Sequence, residues 1–376
     1  MTPLAHRVTY TAIYQAITLA IFCTWIHLPA RAQVREDTLK PKKERRITIL
    51  PVPTLGVAPE TGFSFGAVAQ ASFRLYLDSS TRYSTAKTEL TYTLKKQFIT
   101  ELDWNIATRH NKQIFLSDNF FLRFPELFWG MGNQNTGGKG ELYQARRIEL
   151  SNEVNQKVIS TIYLGITQRY QKVFGISTKA GGTFDTTTVV GKAGGVTSGL
   201  GLSLFSDSRD RLLNPSGGKH YIALRQLWFG RYVGSQFSFN QLELDARYYL
   251  SLGPSTLLAL QSYHLMQSAG APFRMQALLG SDSHMRGYYQ GRYRDANYHT
   301  AQAELRFPIW RFLRGVAFAG AGGVAPKAFQ LANAIKPTAG LGLRILVDKK
   351  EQTYMRFDYA VGKRTAGFYV AFGEAF

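Results

Sequence analysis

Cysteine is almost absent from this sequence of 376 residues, which contains only Cys23. One thiol so near the N-terminus excludes a disulfide framework and a thiolate metal site. Acidic residues are also scarce, with 25 Asp and Glu against 45 Lys and Arg, so the formal net charge is +20. Hydrophobic residues nevertheless make up 45% of the chain, which excludes a disordered or collagen-like protein.

The N-terminal residues contain a long run without formal charge. Arg7 precedes an uncharged stretch from Val8 to Ala30, which is followed by Arg31 and Ala32. A basic start, an apolar middle and small residues at the end are typical of a secretory signal peptide, here predicted over residues 1–32. The alternative is an uncleaved membrane anchor, because the stretch is long enough to span a bilayer. Cleavage after Ala32 leaves no cysteine, so the exported chain needs no oxidation to fold.

The rest of the chain is predicted to contain one domain. Residues 33–50 are polar and basic and too short for a domain, which indicates a periplasmic lead-in. Residues 51–376 show no helical period and no linker, but they alternate with a period of two. From Phe63 to Leu77 every odd position is apolar, whereas most even positions are polar or small, as in a strand with one apolar and one polar face.

Nine further segments show the same alternation, and turn residues lie between them. They are Ser84–Leu94, Phe98–Thr108, Val196–Ser206, Tyr221–Gly230, Phe237–Tyr249, Ala301–Phe307, Ala339–Val347, Tyr354–Val361 and Phe368–Phe376.

An all-β protein of this kind can be a soluble sandwich or a transmembrane antiparallel β-barrel. Export, charges on the polar faces and abundant aromatic residues favour the barrel, in which Glu304, Arg306, Arg356 and Asp358 face a polar lumen. The length suits sixteen strands, although twelve to eighteen would also fit. Six aromatic residues are expected in the girdles at the membrane interfaces: Tyr249, Tyr288, Phe357, Tyr359, Phe368 and Tyr369.

The C-terminal residues 367–376 predict a strand that ends at the carboxyl terminus. Phe368, Val370, Phe372 and Phe376 are expected on one face, with Gly373 between the last two. A chain that ends in an aromatic strand resembles the signal by which barrels of the Gram-negative outer membrane are recognised for insertion. The alternative is the terminal strand of a soluble sheet.

Two further segments resemble the BamA/TamA family of outer-membrane barrels, also called the bacterial surface antigen family. Ser281–Tyr288, followed by Gly291–Asp295 and Ala303–Pro308, is similar to the family's Arg-Gly-aromatic loop and the strand after it. Asp207–Asp210 with Asn214, Pro215, Gly217 and Gly218 is similar to its turn between strands, and Pro59–Gly62 to its opening strand. The resemblance covers the barrel alone, because only the short lead-in stands where that family carries periplasmic substrate-binding domains.

The resemblance implies that this loop folds into the lumen and is latched there. Arg286 is then the loop arginine, Gly287 permits the tight backbone, and Tyr288 is the aromatic residue. Asp358 is the expected carboxylate partner of Arg286, with Glu304 second, because a bidentate ion pair holds a long loop in one position. The alternative is that Arg286 is a solvated loop charge.

The function implied by the resemblance is insertion of proteins into the outer membrane of a Gram-negative bacterium. A weak seam between the first and last strands, expected around Gly62–Leu77 and Gly367–Phe376, would open and pair with a client strand. The alternative is a pore without insertase activity. The expected partners are outer-membrane lipid and lipopolysaccharide, the barrel assembly machinery for its own insertion, and client barrels or a periplasmic partner.

Other short motifs lack the structural context that catalysis or ligand binding would need. Gly62–Gly66 matches a nucleophile elbow around Ser64, but it lies within a strand, and Gly320–Ala325 matches a dinucleotide fingerprint with no helix after it. The histidines form no metal-binding spacing, and the basic residues are spread rather than clustered as for nucleic acid. We therefore expect no enzyme activity, no cofactor, no metal and no nucleic-acid partner.

Overall fold

The computed structural model describes residues 47–76, 78, 81–134, 140–212, 214–348 and 352–376. The expected signal peptide over residues 1–32, residues 33–46 of the lead-in, and Leu77 lie outside the described residues. Within the described part of the chain, no helix has both the length and the hydrophobicity needed to cross a membrane.

The described residues form nineteen strands, of which sixteen make up a closed antiparallel barrel, as predicted. The barrel strands are β1 (Ile47–Ala58), β2 (Gly62–Phe73), β3 (Ser84–Thr93), β4 (Phe98–Ala107), β5 (Gln113–Arg123), β7 (Glu141–Ile159), β8 (Ile162–Ser177), β9 (Gly195–Asp207), β10 (Lys219–Phe229), β11 (Phe239–Ser251), β12 (Leu257–Gln267), β15 (Asn297–Trp310), β16 (Leu313–Ala325), β17 (Lys336–Asp348), β18 (Thr353–Gly362) and β19 (Thr365–Phe372). The short strands β6 (Glu126–Phe128), β13 (Ala277–Leu279) and β14 (Tyr293–Asp295) lie in connections.

Each barrel strand pairs with the next one along the chain, and β1 closes the barrel against β19 through Val57 and Val370. The first described strand is β1, which begins at Ile47, before the expected domain boundary at residue 51. It precedes the segment Gly62–Leu77 that was expected to be the first strand. We call the end where β1 begins and β19 ends the terminal end, and the opposite end the loop end. The longest connections, including residues 268–296 between β12 and β15, leave from the loop end.

All ten predicted segments correspond to strands, but β1, β5, β7, β8, β12 and β16 were not predicted. In β5, β8 and β16 the alternation is weak because apolar or small residues also face inward. Ile114 of β5 and Tyr163 of β8, for example, pack inside the barrel against Phe205 and Ala223. In β16, glycine occurs on both faces, and Val316 and Phe318 face inward.

The outer face of the barrel is apolar and the inner face is largely polar. In β9, Leu200, Leu202 and Leu204 are exposed to the outside, whereas Ser203 and Phe205 between and beside them are buried. This distribution is the reverse of that in a soluble sandwich, and it matches strands that face lipid on one side and a polar lumen on the other.

The predicted aromatic girdle is only partly correct. Tyr359 and Phe368 are exposed on the outer face, and Phe357 shares their outward parity. Tyr249, Tyr288 and Tyr369 are instead completely buried inside the barrel. Tyr288 lies in a loop, to which strand parity does not apply, and the other two occupy inward positions of their strands.

A charge on the outer face should destabilise the barrel in a bilayer. Leu202→Arg places a guanidinium near the middle of β9, where we expect a loss of roughly 2–4 kcal/mol in the free energy of unfolding. The control Val190→Arg lies in a loop-end connection, where the expected loss is about 0–1 kcal/mol. Urea unfolding in phospholipid vesicles measures both variants, and equal losses would contradict the assignment of the outer face to lipid.

Candidate functional site

The connection between β12 and β15 folds into the lumen, and we call residues 268–296 the inward loop. Within it β13 and β14 pair as a short antiparallel ladder from Ala277 and Asp295 to Leu279 and Tyr293. The loop buries Leu279, Met285 and Tyr288 against Tyr298 and Val324 of the barrel wall. The inward loop is therefore packed against the inner wall rather than exposed above the barrel.

Arg286 at the tip of the inward loop contacts two carboxylates of the barrel wall. Its Nη1 lies 2.5 Å from Oδ2 of Asp358 in β18, and its Nη2 lies 2.6 Å from Oε2 of Glu304 in β15. The guanidinium carbon also lies 3.5 Å from the ring centroid of Phe318. All three charged side chains are at most 1% exposed. One planar guanidinium thus bridges two strands that are not neighbours. Both carboxylates are the ones that the alternation along the strands predicted to face the lumen.

The residues after Arg286 fit closely against the wall. Gly287 has a φ of +98°, and a Cβ atom there would lie 3.0 Å from the carbonyl carbon of Val361. Its N–H donates to the hydroxyl of Tyr369 in β19 over 2.9 Å. The Tyr288 hydroxyl donates to the carbonyl of Pro337 over 2.6 Å and accepts from the N–H of Lys363 over 2.8 Å. The loop tip is thereby attached to β17, β19 and the turn between β18 and β19.

The ion pairs of Arg286 extend into a larger buried group, which we call the latch cluster: Arg286, Arg306, Arg344, Glu304, Asp358 and Glu374. Arg344 Nη1 lies 2.6 Å from Asp358 Oδ1, and Arg344 Nε lies 2.7 Å from Glu374 Oε2. Arg306 Nε lies 2.8 Å from Glu304 Oε1. Three guanidinium groups therefore face three carboxylates. A further buried arginine, Arg356, lies 3.8 Å from Asp358 and is paired with Asp282 over 2.8 Å.

The C-terminal residues turn into the lumen, which corrects the predicted strand up to Phe376. β19 ends at Phe372, and Gly373 has a φ of +80°, a conformation that favours glycine. Phe376 is 6% exposed and packs inside the barrel with Tyr249 and Ala259. Its main-chain oxygen accepts a hydrogen bond from Arg306 Nη2 over 2.9 Å. Of the predicted insertion signal, only Phe368, Val370 and Phe372 therefore remain on the outer side of the strand.

Sequence reasoning missed Arg344 and Glu374. Arg344 has the inward parity of β17, so the alternation could have identified it. A straight strand would instead have turned Glu374 outward with Phe372, and only the turn at Gly373 directs it to Arg344.

The junction of β1 and β19, which we call the seam, is weakly paired. Among the described residues, Val57 and Val370 are the one register pair between these strands. In contrast, β1 pairs with β2 from Ile47 to Ala58, and β18 pairs with β19 from Met355 to Gly362. Pro51 and Pro53 lie in β1, and proline lacks the N–H that an interior strand must donate. The seam joins the first and last strands as expected, but the first strand is β1 and not the predicted segment Gly62–Leu77, which forms β2.

A second group of charges holds the inward loop near the loop end. Arg274 Nη1 lies 2.8 Å from Oε2 of Glu126, which also accepts a hydrogen bond from the Tyr143 hydroxyl over 2.8 Å. Arg147 and Arg294 approach the same carboxylate at 3.3 and 3.7 Å. Burial alone would raise the pKa of Glu126, which lies in β6 outside the spanning strands, but the three guanidinium groups lower it to about 2. Glu126 therefore remains charged at neutral pH.

A cavity of about 470 Å³ remains in the lumen between the inward loop and the wall. It is lined on the loop side by Arg274 and Tyr289 and on the wall side by Asp118, Glu149 and Arg169. The inward loop therefore fills the lumen only in part.

The motifs for other chemistry lie within the barrel wall. Ser64 lies inside β2, and Gly320–Ala325 form the end of β16. His264 and His299 face each other across β12 and β15 with their Nδ1 atoms 3.0 Å apart. Among the described residues, no group of three or more His, Cys, Asp or Glu side chains is placed to hold a metal ion.

The role of Gly287 can be tested with a matched glycine. Gly234 also has a positive φ, of +80°, but open space surrounds its Cβ position. Gly234→Ala should cost about 1–2 kcal/mol of stability for the backbone conformation alone. Gly287→Ala should lose about 1–3 kcal/mol more, because its methyl group meets the backbone of β18. Heat-dependent electrophoretic mobility of the folded barrels measures both, and equal midpoints would argue against close packing of the loop tip.

Arg286→Ala should destabilise the barrel more strongly, because it leaves two buried carboxylates without their shared partner. We expect a loss of about 3–5 kcal/mol and lower assembly in the membrane. The control Arg231→Ala removes an exposed arginine at the loop end and should leave the stability and the assembly of the barrel unchanged. Normal assembly and stability of Arg286→Ala would show that Arg286 is no latch.

Glu374→Gln tests whether the latch cluster holds the C-terminal residues inside. Weakening the charge-assisted bond to Arg344 should make removal of Phe376 by a carboxypeptidase faster by about tenfold or more. Glu89→Gln, which changes a carboxylate on β3, is the control. Intact-mass spectrometry follows the trimming, and equal rates for both variants would mean that Glu374 does not hold the tail.

Comparison with known proteins agrees with this geometry. The chain matches the Omp85 superfamily domain over residues 61–376. Its structure is similar to that of BamA from Haemophilus ducreyi lacking POTRA domains 1–3, with a TM-score of 0.56 and 12% identity over 87% of this chain and 70% of that chain. It is also similar to CdiB from Acinetobacter baumannii, with a TM-score of 0.55 and 10% identity over 87% of this chain and 60% of that chain. No curated protein sequence matches the chain.

The two structural similarities show a shared fold at low sequence identity, whereas the family match covers most of the chain. The resemblance to the BamA/TamA family that the loop and turn motifs indicated is confirmed. The barrel of this family lies in the outer membrane of Gram-negative bacteria. The chain belongs to the Omp85 superfamily.

Proposed function

We propose that this outer-membrane barrel inserts other β-barrel proteins into the outer membrane. The observation that carries the proposal is the seam, where β1 leaves most of its edge unpaired with β19. An unpaired strand edge offers a row of N–H and C=O groups to another chain, and adding a strand to such an edge is a common form of recognition. A client strand would pair with β1 in the same way, without covalent chemistry.

Opening the seam requires few interactions to break. The described pairing is limited to the residues around Val57 and Val370, and each backbone hydrogen bond contributes only about 0.5–1.5 kcal/mol net. The C-terminal residues from Gly373 onward face the lumen, so they do not compete for the terminal half of β1. The free edge is therefore widest at the terminal end, which we assign to the periplasm, where a client or a delivering partner would arrive.

The two sides of the seam differ in how firmly they are held. The inward loop and the latch cluster attach β18 and β19 to the lumen contents through Asp358 and Tyr369. β1 is held mainly by its pairing with β2 and by Glu60 in the turn after it, whose carboxylate accepts the N–H of Gln290 over 2.5 Å. Opening would thus move β1 and β2 away from a fixed β19.

A second candidate function is a solute pore. The observation that favours it is the polar cavity beside the inward loop, which is lined by charged residues of both signs. A pore would give a steady conductance in planar bilayers that does not depend on the seam. An insertase would accelerate the folding of a client barrel, and this acceleration would depend on the seam.

A disulfide across the seam should separate the two functions. Directly opposite residues of antiparallel strands have Cα atoms roughly 4.5–5.5 Å apart, which suits a disulfide. Val57→Cys with Val370→Cys should fold normally, and oxidation should reduce client folding in vesicles to the rate of vesicles without the protein. Reduction should restore the activity, because the seam can open again.

The matched control is Leu224→Cys with Leu244→Cys, which joins opposite residues of β10 and β11 far from the seam. Oxidation of this pair should leave client folding unchanged. If the oxidised seam variant remains fully active, or if the native barrel never accelerates a client, the insertase proposal is wrong. Conductance that persists in the oxidised seam variant would then favour the pore.

A further inference from the structure

Much of the basic charge of the described residues lies outside the buried ion pairs of the lumen. The three arginines of the latch cluster face three carboxylates, Arg225 pairs with Glu153, and Arg247 pairs with Asp245. Many basic residues of the loop end are instead exposed: Lys95, Lys96, Arg123, Arg146, Lys172, Lys179, Arg231, Lys327, Lys363 and Arg364. The loop-end rim therefore presents positive charge to its surroundings.

Four of these side chains flank the seam. Strand order places the β18–β19 turn with Lys363 and Arg364 on one side of the β1–β2 turn, and the β3–β4 turn with Lys95 and Lys96 on the other. Strands lie about 4.8 Å apart, so the two basic turns are roughly 20 Å apart across the seam. We call these four residues the seam-rim cluster.

The barrel neutralises the seam-rim cluster only in part. No ion pair joins Lys96, Lys363 or Arg364 to an acidic residue of the part of the chain that the structure describes. Lys95 donates a hydrogen bond to the carbonyl of Pro59. Lys95 also lies 5.4 Å from the ring centroid of Tyr289 and interacts electrostatically with Glu60, the acid of the intervening turn, which is 7% exposed and bound to the backbone of the inward loop. One acid thus faces four basic side chains. The cluster therefore carries a net positive charge toward solvent.

Below this cluster the same strands present an apolar outer face. Leu94 is 69% exposed and Tyr359 is 56% exposed, and the aromatic rings of Phe65, Tyr92 and Phe368 lie on the same outer face. Basic side chains above an apolar and aromatic surface fit a molecule that has an anionic headgroup and acyl chains. A free anion would use the charges but not the apolar face below them.

We propose that the seam-rim cluster binds the phosphorylated headgroup of an anionic lipid in the leaflet at the loop end. The headgroup lies across the turns on both sides of the seam, and its acyl chains cover the apolar face below. Val57, which pairs with Val370, is next to the last residue of β1, directly below the β1–β2 turn. The lipid therefore reinforces the seam at the loop end and leaves the terminal end free to open. This effect on opening rests on the proposed function, whereas binding does not.

Binding is tested with two variants of equal charge change. The seam-rim variant carries Lys95→Gln, Lys96→Gln, Lys363→Gln and Arg364→Gln. The control variant changes four exposed basic residues elsewhere on the same rim: Lys172→Gln, Lys179→Gln, Arg231→Gln and Lys327→Gln. Native mass spectrometry of the detergent-solubilised barrels measures retention of lipid A that carries two phosphates.

The native chain and the control should retain this lipid, and the seam-rim variant should bind it about tenfold or more weakly. Lipid A without phosphates should bind all three proteins alike, and inorganic phosphate should not displace the phosphorylated lipid. Equal losses in the two variants would overturn the proposal in favour of a diffuse rim charge. Displacement by inorganic phosphate would overturn it in favour of an anion site. Heat-dependent mobility confirms that each variant is folded.

The effect on the seam is measured separately. Phosphorylated lipid A should raise the rate at which Val57→Cys and Val370→Cys form a disulfide, and the seam-rim substitutions should abolish the increase. An unchanged rate with lipid bound would overturn the reinforcement of the seam. Neither measurement uses a client barrel, so failure of the insertase proposal leaves the lipid result intact.

Discussion

The buried ion pairs of Arg286 with Asp358 and Glu304 are the interaction on which the lumen depends. Each carboxylate is fully buried, so it is stable only while a guanidinium group neutralises it. The guanidinium comes from a loop, whereas the carboxylates come from two strands that are not neighbours. Through Arg344 the same group of charges also includes Glu374 of the C-terminal tail. Loop, wall and tail consequently form one unit, in which the loss of one charged side chain weakens the neutralisation of its neighbours. Without Arg286, Asp358 would keep only Arg344 as a close partner, and Glu304 would keep Arg306.

This unit makes the two sides of the seam unequal. β19 is attached to the inward loop through Tyr369, and the tail after it is turned into the lumen. β1 contains two prolines and pairs fully only with β2. The barrel therefore closes at the loop end, where Val57 meets Val370, and exposes the edge of β1 toward the terminal end. A lipid headgroup across the basic turns would act at the end that is already closed.

Much of this fold could be predicted because side chains of a strand alternate between two faces. The ten predicted segments are strands, and the same alternation correctly predicted that Glu304 and Asp358 face the lumen. Strands such as β5 and β16 escaped prediction because packing inside the barrel places apolar or small residues on both faces. The prediction from alternation was wrong at the C-terminus. There the backbone conformation of Gly373 ends the strand, so Glu374 and Phe376 face the lumen instead of the outside.

The amino-acid sequence specifies the class of structure and the polarity of its faces, because both follow from the local order of apolar and polar residues. It also identified the Arg-Gly-Tyr motif of the inward loop. The pairing of each acid with its arginine, the position of the seam and the gathering of exposed basic residues at the loop-end rim arise from the tertiary structure. These features depend on residues far apart in the chain, such as Arg286 and Asp358, and on barrel closure. Neither the long-range contacts nor the closure of the barrel can be predicted from a local sequence pattern.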